Sequence, residues 1–104
     1  MEKHLEKLQN LVNCMMLGDK KSISAGLSHN GALLRINGII NTVRFKLDDK
    51  NIITKIITLK SDNAVVDGIS VSQIAVSALH VLGVEAYIGN DEQILELIES
   101  NFEF

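Results

Sequence analysis

Apolar positions in the first sixteen residues recur with the period of a helix. Leu5, Leu8, Val12 and Met15 fall at i, i+3, i+7 and i+10, Leu11 and Met16 widen the stripe, and Lys3, Lys7, Asn10 and Cys14 lie behind it. That spacing predicts an amphipathic helix over residues 2–16. Gly18 ends it, because glycine accepts the left-handed conformation of a helix stop. Residues 22–27 alternate weakly and read as a strand. Residues 32–36 run into Asn37-Gly38, the dipeptide that most favours a two-residue hairpin turn and that serves equally at a bulge or a simple bend.

Between residues 39 and 60 the alternation sharpens. Val43, Phe45 and Leu47 alternate with Thr42, Arg44 and Lys46, Asp48-Asp49-Lys50-Asn51 interrupts, and Ile52-Ile53-Thr54-Lys55-Ile56-Ile57-Thr58-Leu59 follows. Period-two patterning with β-branched residues on both sides of a polar turn predicts a hairpin. Its second strand is apolar on both faces, as in a central strand or an edge covered by another subunit.

After Ser61-Asp62-Asn63 the pattern reads as strand 64–66, helix 69–82, strand 84–88 and helix 91–100. Ser70 and Gln73 offer a capping box to the first of these helices, with Val71, Ile74, Ala75, Ala78, Leu79 and Leu82 facing inward and Gly83 as its stop. Asn90 or Asp91 caps the last helix, acids occupy its first turn, and Ile94, Leu95, Leu97 and Ile98 form its buried face. Phe102 and Phe104 are expected to pack against the body. The fold class expected is therefore α/β or α+β in a single domain of residues 1–104. It comprises an N-terminal helix, an antiparallel hairpin sheet and a C-terminal strand-helix-strand-helix unit, with helices packed on a mixed sheet.

Composition agrees with one packed core. The chain has 104 residues, 46% of them hydrophobic and none of them proline. No apolar run is long enough for a membrane span, and the charged start is not a signal peptide, so a soluble cytoplasmic protein is expected. One cysteine, Cys14, excludes an internal disulfide and a multi-cysteine zinc site.

Charge is divided along the chain. All ten Lys and Arg lie in residues 1–60 with five acids, whereas Ser61 onward carries eight acids and no Lys or Arg. Such halves attract each other within a chain or across a dimer. The basic excess is too sparse and the acidic part too repulsive for nucleic acid to be the expected partner.

Chemistry is expected where a right-handed βαβ crossover would bring two turns to one sheet edge. There Asp67, Gly68, Ser70, Ser72, Gly89 and Asn90 would form a ligand site, with free helix amides and close backbone approach. The competing reading is plain turn and cap chemistry. His29 and His80 are the metal candidates, too dispersed to define a site by spacing. No complete catalytic constellation is present.

The segment from Asn63-Ala64-Val65-Val66-Asp67-Gly68-Ile69-Ser70 through Ala78-Leu79-His80-Val81-Leu82-Gly83 to Ile94-Leu95-Glu96-Leu97-Ile98, within residues 62–100, resembles the nitrogenase iron–molybdenum cofactor carrier family. The resemblance implies a ribonuclease-H-like α/β fold with residues 45–52 as its central hairpin, and it implies cofactor carriage.

Taken together, the residues are read as a non-catalytic binding module: a regulator, adaptor or inhibitor acting through a protein partner or a small ligand. A homo-oligomer, a dimer, is expected from the apolar hairpin strand and phenylalanine tail. Two alternatives stand beside it. One is a cofactor or metallocluster carrier using His29, the 67–70 turn and His80. The other is a small hydrolase or transferase whose acid or base is Asp67, His29 or His80.

Overall fold

Helix Glu2–Met16 (α1) forms where the periodicity places it, and it is the first of six helices in the computed structural model, which describes residues 2–89 and 91–100, with side chains from Leu5 onward. The others are α2 (Lys20–Leu27), α3 (Ala32–Arg44), α4 (Lys50–Thr58), α5 (Val71–Val81) and α6 (Glu92–Glu99). A 3₁₀ turn, Leu59–Ser61, continues α4. Two short strands, β1 (Val65–Val66) and β2 (Ile69–Ser70), pair antiparallel before α5. The architecture is thus mostly helical with one small antiparallel sheet.

Residues 22–60 depart from the expected sheet. Residues 22–27 belong to α2; residues 32–36 and Asn37-Gly38 lie inside α3; and residues 52–58, expected as a strand, lie in α4. The reason is visible in α4. Ile52, Ile56 and Leu59 stand at i, i+4 and i+7 and are all buried, so a helical stripe runs through the isoleucine-rich stretch and tertiary burial overrides its β-propensity. With that strand gone, the covered sheet edge falls as an argument for a dimer, and the other feature behind that expectation, the phenylalanine tail, lies outside the described residues. Gly38 is no turn residue either. A Cβ built there would meet the Leu27 side chain at 3.0 Å and the Leu27 backbone nitrogen at 3.1 Å, so its missing side chain allows α2 and α3 to approach closely.

Asp67 and Gly68, expected in a strand-to-helix turn, occupy the two central positions of the β1–β2 hairpin with φ of 51° and 82°. Val65 faces Ser70 and Val66 faces Ile69 across it. Both central residues at positive φ define the tight hairpin turn that an Asp-Gly dipeptide favours. Residues 84–88 form no strand. Hence there is no parallel crossover and no mixed sheet among the described residues, and the hairpin that the family resemblance implies at residues 45–52 is the junction between α3 and α4.

Helices α3 and α5 pack side by side with their starts together. At their starts, Arg35 in the first turn of α3 holds Asp62, whose backbone oxygen accepts from Ser72 in the first turn of α5. At their ends, Gly18 after α1 packs on Phe45 after α3, and Val43 and Val81 line one cavity. Helices α2 and α4 are tied at mid-length by Lys55 Nζ donating to Ser24 Oγ at 2.7 Å. Helices α1, α3 and α5 stop in the same way. Asp19 donates to Cys14, Leu47 to Thr42 and Val84 to Leu79, each across a residue in the left-handed conformation: Gly18, Lys46 and Gly83.

Core residues from every helix form one buried cluster, including Met15, Ile23, Ile39, Ile56, Leu79 and Ile98. Its buried polar side chains are satisfied locally. Asn41 donates to the Asn37 carbonyl, Thr42 to that of Gly38 and Ser77 to that of Gln73, so none costs an orphaned hydrogen bond. No described helix is long and apolar enough to cross a membrane.

Candidate functional site

Helices α3 and α5 are tied together at their starts, and a cavity is lined by residues at their ends. At the starts, Arg35 Nε donates to Asp62 Oδ2 at 2.7 Å, and its Nη1 donates to the carbonyls of both His29 and Asn30, at 2.8 and 2.9 Å. The second carboxylate oxygen of Asp62 accepts from the Ala64 amide at 3.0 Å. Ser72 Oγ donates to the Lys60 carbonyl. The Arg35 guanidinium and the Asp62 carboxylate thereby tie the α2–α3 loop and the start of α3 to the approach to β1, and the carbonyls of Asp62 and Lys60 add the start of α5. Both side chains are mostly shielded, at 15% and 19% exposure, where a charge-assisted pair is stronger than on an open surface.

At the opposite ends, a cavity of about 710 Å³ opens between α3, α4 and α5. Val43 and Leu47 supply one wall, Ile53 and Ile57 of α4 a second, and Val81, Leu82 and Val84 a third. Lys46, Asp48, Lys50, Thr54 and Glu99 complete its lining. Ile57 and Val84 are exposed, at 37% and 42%, so the apolar lining reaches the surface. Ile53 and Ile57 stand at i and i+4 on α4, beside the buried Ile52 and Ile56, and this second stripe is the sequence signal for the wall.

Lys46 sits at the mouth with φ of 49°. It stands at the helix-stop position that α1 and α5 fill with glycine. A side chain in that conformation costs roughly 1 kcal/mol relative to glycine. The strain is retained next to the cavity.

The residues expected to form a ligand site are placed as follows. Asp67 and Gly68 are exposed in the hairpin turn, and nothing lies within 4 Å of a Cβ built on Gly68, so its role is conformational. Ser70 caps α5, accepting from the Gln73 amide at 3.1 Å. Ser72 is engaged with Lys60 and Asp62, as above. Gly89 lies against Gln73 Nε2 and the Tyr87 hydroxyl, both too near a built Cβ for any side chain to fit without movement. Asn90 lies outside the described residues.

Two helix starts do come together, by a route the sequence pattern did not suggest. Tyr87 Oη accepts from Gln73 Nε2 at 2.8 Å and from the Asp91 amide at 3.0 Å, and donates to the Asp91 carbonyl at 2.9 Å. The 83–89 segment therefore returns along α5, and the starts of α5 and α6 meet through one phenol. Their first amides are taken by their own caps, Ser70 on one and Asp91 on the other. Lone polar residues such as Tyr87 and Arg35 carry no periodic signal, which is why the sequence pattern passes over them.

His29 Nδ1 accepts from the Gly31 amide at 2.9 Å, a turn contact, and His80 is exposed with its ring centroid 6.0 Å from that of Tyr87. Among the described residues, no three His, Cys, Asp or Glu side chains converge as metal ligands would. A smaller cavity of about 280 Å³ between the starts of α2 and α4 is lined mainly by polar side chains. Its Asp49 is already engaged as the α4 cap, accepting from Asn51 and Ile52 amides.

No family model, curated protein or solved structure matches this chain. Its functional reading therefore rests on the geometry above.

Proposed function

We propose that the chain is a non-catalytic binding module whose partner is a protein or peptide offering apolar side chains to the groove between α3, α4 and α5. The observation that carries this reading is the groove itself. Seven aliphatic side chains, four from α3, α4 and α5 and three from the segments that follow α3 and α5, line it, two of the seven open to the surface, with lysines at the mouth. A cavity of a few hundred Å³ with mainly apolar walls and few polar groups is the common form of a binding site, and an apolar groove between helices is a standard seat for peptide anchors. One further feature supports it. The left-handed Lys46 is a position where a less strained residue was available, and such strain clusters at binding surfaces.

Methyl-labelled protein titrated with a peptide bearing Leu and Phe anchors tests this reading. Shifts should concentrate on Ile53, Ile57, Val81, Leu82 and Val84 and disappear in Ile57→Glu. Shifts that fall instead on α1, or no shift at all, would refute it.

A further inference from the structure

The two sides of the groove carry opposite charge. Lys46 and Lys50 line it on the α3–α4 side, both exposed and in no ion pair among the described residues. Beside them Arg44, exposed in the last turn of α3, donates to Asn41 Oδ1 at 3.3 Å and meets no described acid. Asp48 and Asp49 lie on the same side, but Asp49 caps α4 and has Lys20 and Lys21 beside it, so this bank stays basic. Opposite, α6 packs on α5 and brings Glu99 into the lining, with exposed Glu96 three residues back on the same helix face. No Lys or Arg follows Lys60 in the chain, so the acidic bank has no cation from its own half. The groove is the seam where the basic and acidic halves meet.

We propose, on the reading of the groove as a binding site, that its partner is an amphipathic helix of another protein, with acids along one edge of its apolar stripe and Lys or Arg along the other. The helical form follows from main-chain chemistry. An extended peptide brings amides and carbonyls that need partners, and the described lining holds no strand whose edge could pair with them. A helix satisfies its own main chain and offers anchors at i, i+3 or i+4 and i+7 to an apolar groove. With those anchors against the aliphatic walls, the partner's acidic edge faces Lys46 and Lys50 and its basic edge faces Glu99. Charges at a rim steer encounter and exclude wrong partners more than they add affinity. The seam therefore selects among helices that the apolar walls alone would accept, because a helix with like charges on both edges meets one bank unfavourably.

The test uses the full chain and four synthetic helices that share one stripe of Leu and Phe, read by fluorescence anisotropy. Their edges are acidic and basic, both acidic, both basic, or both neutral Gln. At low salt the mixed-edge helix should bind about tenfold more tightly than either like-charged one, and the spread should shrink as salt screens the rim. Lys46→Glu/Lys50→Glu should transfer the preference to the both-basic helix, and Glu96→Lys/Glu99→Lys to the both-acidic one. Lys7→Glu and Glu6→Lys, exposed in the first half of α1, change net charge away from the groove and should leave the order as it was. Circular dichroism melts show that each variant is folded. A proline at the centre of the mixed-edge peptide should weaken binding at least about tenfold; undiminished binding would overturn the helical form. Equal binding of all four helices, abolished by Ile57→Glu, overturns the charged-edge proposal and leaves the groove reading intact. No binding by any of them, or binding that Ile57→Glu leaves unchanged, brings down the groove reading itself.

Discussion

The two ends of the α3–α5 pair are built on different terms. At the starts, contact is close and polar. Arg35 and Asp62 bind four segments together, and a short distance along α3 the bare backbone of Gly38 lets Leu27 press against it. At the ends, aliphatic side chains line a cavity, with exposed Ile57 and Val84 left at the opening. The first end ties the helices together, and the second leaves an opening beside them. Stability is therefore expected to reside in the closed end and binding in the open one, so substitutions should separate the two properties by location.

The largest effect is expected where the close approach is tightest. Gly38→Val places methyl groups against the Leu27 backbone, which cannot step aside as a flexible side chain would. Overpacking of this kind costs about 3 kcal/mol, read as a fall in the urea midpoint at unchanged slope. A native-like midpoint would show that α2 and α3 can separate freely and would remove the rigid half of the contrast. Next is Asp62→Ala, which strands the shielded Arg35 and the Ala64 amide together. A loss of about 2 kcal/mol is expected. Combining it with Arg35→Ala should cost less than the sum of the two, because they share one network. Strict additivity would mean that the pair does not act as a staple. Tyr87→Phe removes the one hydroxyl joining Gln73 to Asp91. About 1 kcal/mol is expected to be lost, with faster amide exchange concentrated at Asp91 and the start of α6. Exchange unchanged there would show that the 83–89 segment is held by other contacts.

The closed end was only partly legible in the chain. Helices α1, α5 and α6 announce themselves through apolar period and caps, and Ser70, Asp91, Gly18 and Gly83 occupy the roles their residue types suggest. The middle was obscured for a physical reason. Ile, Val and Thr favour strands in isolation, and the α4 run satisfies both an alternating and a helical template. The choice is made by burial of Ile52 and Ile56 against neighbouring helices, which is non-local information. Asn37-Gly38 misleads similarly, since a glycine required for helix contact has the same spelling as a turn. Asp67-Gly68 shows the converse. The dipeptide is a hairpin signal, and the strands that flank it are so short that the pattern also fits a strand entering a helix. Of the groove, only the Ile53 and Ile57 spacing was present in local sequence, because its other walls come from residues brought together by folding.

The smallest effect expected has the opposite sign and bears on the open end. Three helices, α1, α3 and α5, stop in the same hydrogen-bonded motif, with glycine at positions 18 and 83 and lysine at 46. If the left-handed backbone alone sets the cost, Lys46→Gly should stabilise the protein by a few tenths to about 1 kcal/mol, the upper value being reduced by glycine's greater freedom in the unfolded chain. Gly83→Lys should destabilise it by a similar amount, because a Cβ built at Gly83 meets nothing within 4 Å and the backbone penalty is isolated there. Gly18 is unsuitable for this comparison, since Phe45 lies 3.1 Å from its built Cβ and steric crowding would add to the cost. Opposite and comparable changes at 46 and 83 would show that lysine is kept at the groove mouth at a cost in stability. Peptide affinity that falls in Lys46→Gly while the melting midpoint rises would assign that cost to binding. A destabilised Lys46→Gly would mean instead that the lysine's aliphatic stem is part of the packing.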